Sequence, residues 1–125
     1  MELIFCYMKK GSDNPILAKS FQLALQIIDF CTELNTRHHF AIENQLIRSG
    51  TATGALVREA QNPQSRRDFI HKLKIAAKES EETQYWLDLC QHSSVLPNPS
   101  KAIFLLLMEV KKLLTSIIYT SSRRA

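Results

Sequence analysis

Phe69, Leu73, Ala76, Ser80, Thr83, Leu87 and Cys90 recur at alternating steps of four and three residues without a miss. Side chains at those spacings stack on one side of an α-helix, so the stripe is the buried face of a single long helix. Ser65 stands at the N-cap position, with Asp68 three residues on as an acidic capping partner, and Pro97 and Pro99 lie past the far end. The predicted element is about 27 residues and roughly 40 Å long. A chain of 125 residues holding one such helix, with three Gly and four Pro, has room for only a few more elements of the same kind.

Three more helices follow from period and punctuation. Asp13-Asn14-Pro15 opens a helix over 15–36, with Leu17, Phe21, Ala24, Ile28 and Cys31 on one stripe and Leu23, Ile27, Phe30 and Leu34 beside it. Arg37-His38-His39 is the first turn. A helix over 40–61 carries Phe40, Leu46, Ile47, Val57 and Ala60 and stops at Asn62-Pro63-Gln64, since proline cannot continue the hydrogen-bond ladder. The loop Ser93 to Ser100 leads, with Ser100 as cap, into a helix over 101–120 whose core stripe reads Ile103, Leu106, Val110, Leu113 and Ile117. No stretch alternates like a strand. Long helices joined by short connections make antiparallel neighbours, so the expected fold is all-α, an up-down-up-down antiparallel four-helix bundle over 13–121. An N-terminal extension, 1–12, precedes it, and a basic tail, 122–125, follows.

Gly50 and Gly54 lie inside the second helix, where each costs about 1 kcal/mol relative to alanine. The register of a hairpin folded at Pro63 sets Gly50 opposite Ala76, so the two glycines are expected to let the second and third helices approach closely. The same register pairs Arg58 with Asp68, Glu59 with Arg67 and Arg48 with Glu79. Neither glycine lies between a strand and a helix start, so no phosphate-cradling loop is expected.

Hydrophobic residues at 45% and charged residues at 22% describe a folded domain. The three cysteines, Cys6, Cys31 and Cys90, form no Cys-x-x-Cys pair and read as buried thiols of a reducing compartment. Met1 to Met8 is apolar but has no basic start, and the longest apolar run, Ala102 to Met108, is too short to span a bilayer. A cytoplasmic location is expected, with no membrane partner.

The last helix is apolar around most of its first half, more than one buried face needs. Trp86, Phe104, Leu107, Leu114 and Ile118 are therefore expected in a homo-oligomer interface, unless the apolar N-terminal segment covers them.

The third helix is polarised. Arg66, Arg67, Lys72, Lys74 and Lys78 face only Asp68 in its first half, whereas Glu79, Glu81, Glu82 and Asp88 hold the second half without a base. Against a net charge of +4, Arg58, Arg66, Arg67, His71, Lys72, Lys74 and Lys78 are the candidate nucleic-acid-binding residues. Arg66 and His71 also have the Arg-x4-His spacing of helical ribonucleases, a phosphate-holding arginine beside a general base. No Glu-x-x-His pair suggests a di-iron site, and His38-His39 and Cys90-x-His92 have no further ligands in sequence, so no cofactor or metal is expected.

The signature Gln45-Leu46-Ile47-Arg48-Ser49-Gly50-Thr51 through Glu59-Ala60, then Ser65-Arg66-Arg67-Asp68-Phe69, Lys72-Leu73, Ala76-Ala77-Lys78-Glu79, Glu82-Thr83 and Tyr85-Trp86-Leu87, resembles the four-helix-bundle family of the bacterial large-subunit ribosomal RNA intervening-sequence proteins. The resemblance spans roughly 13–120. It implies assembly as a ring-like homopentamer and no enzymatic activity. The related accessory variability determinants of diversity-generating retroelements imply RNA or a nucleoprotein as partner. The functional expectation is a non-enzymatic homo-oligomeric scaffold that binds RNA or a nucleoprotein through a basic surface. A protein–protein interaction module without nucleic acid is the alternative, and a ribonuclease using Arg66 and His71 is a third.

Overall fold

The computed structural model describes residues 14–123. The expected extension 1–12, Cys6 and the end of the basic tail lie outside the described residues. Four helices follow in order: α1 (Pro15–Thr36), α2 (Phe40–Glu59), α3 (Arg66–His92) and α4 (Lys101–Arg123), with no strand among the described residues.

Each boundary has a local cause. Asn14 Oδ1 accepts from the Leu17 backbone N–H at 3.2 Å, and Asn14 Nδ2 donates to Gln61 Oε1 at 3.1 Å. One buried asparagine thus caps α1 and ties it to the end of α2. At the other end of α1, His38 takes a left-handed φ of 64°, and the His39 N–H reaches back to the Leu34 carbonyl at 2.9 Å. Ser65 Oγ accepts from the Asp68 N–H at 3.0 Å, while the Asp68 carboxylate accepts from the Gln64 N–H at 3.1 Å, one residue short of a reciprocal box. Ser100 Oγ accepts from the Ile103 N–H at 3.3 Å at the start of α4. That helix runs on to Arg123, past the expected end at 120.

Pairing directions are read from side-chain partners. Between α2 and α3, Lys72 meets Glu59 and Thr83 meets Ser49, so one index falls as the other rises. Between α1 and α2, Gln61 meets Asn14 and Glu43 meets Asn35. Consecutive helices therefore run antiparallel here, and α1 also packs on α4. Leu23, Ile27, Leu46, Val57, Phe69, Leu73, Leu87, Leu107 and Leu114 fill the centre, each fully buried.

Three expectations are corrected. The buried stripe of α1 is Ile16, Ser20, Leu23, Ile27, Cys31 and Leu34, so it follows the second stripe, and Cys31 is the one member of the first stripe that is buried. Phe21 and Ile28, expected in the core, are 53% and 41% exposed. In α4 the buried face is centred on Val110 and takes in Leu107 and Leu114, both 0% exposed, while Leu113 falls at its edge. Leu107 and Leu114 are thus core residues of the protomer rather than interface residues.

The third correction concerns the glycines. A Cβ at Gly50 would lie 2.7 Å from Ile27 Cγ2, and one at Gly54 would lie 3.2 Å from the Ser20 carbonyl oxygen. Both glycines face α1, not α3. The α2–α3 seam is made instead by small hydroxyl residues: Ser49 Oγ and Thr83 Oγ1 are 3.0 Å apart, with Thr53 and Ser80 also buried.

Candidate nucleic-acid interface

The α3 helix buries Phe69, Leu73, Ala76, Ser80, Thr83, Leu87 and Cys90. Helical geometry then turns Arg67, His71, Lys74 and Lys78, at steps of four, three and four, to the side away from the core, and all four are exposed. Arg67, His71 and Lys74, with Gln64, Ser65, Arg66 and Ile70, border one open depression that reaches from the turn to Lys74, and Lys78 lies one turn beyond it. Among the described residues no ion pair or hydrogen bond engages the side chains of Arg67, His71, Lys74 or Lys78.

The other candidate residues are placed differently. Lys72 turns toward α2, with its Nζ 3.4 Å from Glu59 and 4.0 Å from Asp68. Glu59 therefore takes Lys72 and not the expected Arg67. Arg58 lies with its guanidinium 5.8 Å from the Phe21 ring centre, in the α1–α2 groove, and so meets neither Asp68 nor the α3 stripe. Arg66 has a partner of its own. Of the seven candidates the fold gathers four on one face and sends Arg58 and Lys72 elsewhere.

The carboxylates of the acidic half of α3 find partners on α2, on α4 and on α3 itself. Arg48 of α2 sits 3.2 Å from Glu79, as expected, and also pairs with Glu82. Trp86 Nε1 donates to the same Glu82 carboxylate at 3.0 Å. Trp86 and then Arg48 hold the Glu82 carboxyl below its ordinary value, and the Glu82 bond in turn raises that of Arg48. Lys111 of α4 is 2.7 Å from Glu81, and Gln84 Nε2 donates to Asp88 at 2.8 Å. Two of these partners, the Arg48–Glu82 and Lys111–Glu81 pairs, were not foreseen from sequence. For Arg48–Glu82 the hairpin register was the available signal, since Glu82 is one turn from Glu79. For Lys111 there was none, because the α3–α4 register was not fixed by a tight turn.

Elsewhere, two exposed apolar stripes stand out. Phe21, Leu25 and Ile28 make a stripe on α1, and Leu105 and Met108, at 47% and 46% exposure, make one on α4. Phe104 and Ile118 are half-buried beside the latter. Trp86, half-buried, is held to Glu82 and packs edge-on against Tyr85 with ring centres 5.1 Å apart.

Cys31 and Cys90 are buried free thiols. Burial first, then the Glu43 carboxylate, pushes Cys31 up to about 12, and burial pushes Cys90 up to about 11. Both are unreactive in this state. Among the described residues no group of three His, Cys, Asp or Glu is arranged to hold a metal ion, and no helix is long and apolar enough to cross a membrane.

Residues 12–116 match the family described as 23S rRNA-intervening sequence protein. A crystal structure of a protein of unknown function from the S23 ribosomal protein family of Bacteroides thetaiotaomicron is similar at 41% identity and a TM-score of 0.78, over 82% of this chain and 97% of that one. Comparison with curated proteins gives no match.

Proposed function

The chain belongs to the 23S rRNA-intervening sequence protein family, and from that premise we propose that it is a non-enzymatic, self-assembling helical scaffold that holds RNA or an RNA–protein partner against the outer face of α3. One observation carries the reading. Each carboxylate of the acidic half has a partner within the protomer, Arg48 and Lys111 as cations and Trp86 and Gln84 as neutral donors, whereas among the described residues Arg67, Lys74 and Lys78 meet no acidic group. The first half of the helix therefore presents uncompensated positive charge outward, which is what a phosphate backbone attracts without sequence readout.

A scaffold also fits the state of His71. No hydrogen bond among the described residues orients its ring, and a general base in a hydrolytic site is normally held by a second group. The exposed stripes on α1 and α4 support self-association, and because they are two different faces they suit head-to-tail contacts that close into a ring. We take that ring to be a homopentamer, as the resemblance implies.

Sedimentation of the protein alone and with a labelled structured RNA tests both parts. A mass near five protomers is expected, with co-sedimenting RNA that Lys74→Glu and Lys78→Glu together release without dissociating the oligomer. Retention of the RNA by that double variant would refute the α3 surface. The same oligomer with no RNA bound at low salt would favour the protein-interaction alternative, for which the α1 and α4 stripes are the support.

A further inference from the structure

Resting on the reading of α3 as the RNA-facing surface, we infer that its ligand is an RNA duplex gripped by the phosphate backbone, not an extended single strand. The juxtaposition that points to it is a straight row of Arg67, His71, Lys74 and Lys78 along one exposed helix face, with no aromatic ring but the His71 imidazole among them. At 1.5 Å per residue the row covers about 16 Å. It is rigid, because the opposite face of the same turns is locked into the core by Phe69, Leu73, Ala76 and Ser80.

A duplex and a single strand ask different things of such a surface. Proteins that order single strands combine a charged groove with aromatic platforms on which the bases stack. Apart from His71, the only aromatic between Arg66 and Ser80 is Phe69, and it is fully buried. Tyr85 continues the exposed face, but it lies beyond Glu81 and Glu82 in the acidic half. A strand laid on Arg67 to Lys78 would have its phosphates held and its bases left in water. A duplex carries its stacking inside, so the row needs to supply charge alone. It also presents a dense line of phosphates, about one charge per 1.7 Å of axis in double-stranded DNA, which the 16 Å row can meet without reordering its backbone. The shape agrees as well: a convex helix face seats in the wide, shallow minor groove of A-form RNA, which proteins recognise by shape, phosphate and 2′-hydroxyl contacts.

The test is a competition series on the intact protein at fixed salt with three 20-mers: an RNA duplex, a duplex of scrambled sequence, and single-stranded oligouridine. The two duplexes are expected to bind alike and at least tenfold tighter than oligouridine, with Lys74→Ala and Lys78→Ala each weakening the duplexes severalfold. Oligouridine binding as tightly as the duplexes overturns this inference and leaves the RNA reading of α3 intact. Absence of binding to all three overturns both, and a marked preference between the two duplexes overturns the backbone-only grip.

Discussion

Gly50 is where a single hydrogen matters most. A methyl there would come within 2.7 Å of Ile27 Cγ2 and 2.9 Å of Cγ1, and Ile27 is fully buried with no room to retreat. Gly50→Ala gains about 1 kcal/mol of helix propensity but adds overpacking of about 1–3 kcal/mol, so the net effect is destabilising. In a Gly50→Ala background, Ile27→Ala should cost distinctly less than it does alone, and denaturant unfolding of the four proteins measures that coupling. Additive effects would place Gly50 against some other neighbour. The glycines were legible in sequence as a thin place in α2, but not which helix used the thinness, because a residue without a side chain gives no sign of its direction. At Cys31 and Cys90 the folded thiols titrate near 12 and 11 against an ordinary 9.0. Their raised values stabilise the fold fully below pH ~9, and that contribution is lost as pH climbs toward the folded values. A thiol reagent at pH 8 should accordingly label neither in a Cys6→Ser protein until it is unfolded.

At the level of the element, α3 was the most readable and α1 the least. Seven core positions of α3 follow one unbroken stripe, and all seven are buried. For α1 and α4 two apolar stripes compete, and periodicity cannot choose between neighbours about one helical position apart. The choice falls to tertiary packing: Leu23 and Ile27 point inward on α1, and Leu107 and Leu114 join the core of α4. The surplus stripe is then what remains exposed, at Phe21, Leu25 and Ile28 and at Leu105 and Met108. Charge on α3 was half readable. Its polarity stands in the sequence, but the neutralisation of Glu81 by Lys111 depends on a helix separated from it by an eight-residue loop. Because Lys74 and Lys78 have no partners among the described residues and Lys72 pairs with Glu59, alanine at the first two should leave the melting temperature unchanged, whereas Lys72→Glu should lower it. A drop with Lys74→Ala equal to that of Lys72→Glu would show a hidden pairing.

Over the whole molecule, the bundle sorts its surface by chemistry. Apolar stripes lie on α1 and α4, an ion-pair lattice joins α2, α3 and α4, and a row of unpaired cations lies on the outer first half of α3. That sorting is invisible in a net charge of +4, which would follow equally from scattered lysines. The central claim is that these particular cations meet phosphate. Its most direct measurement is the dependence of RNA affinity on salt for the wild type and for Lys74→Ala/Lys78→Ala. With three uncompensated cations on this face, a plot of log K against log salt should fall with a slope of about −3 or steeper, and the double variant should flatten it by about 2. A slope that the two substitutions leave unchanged would contradict the claim.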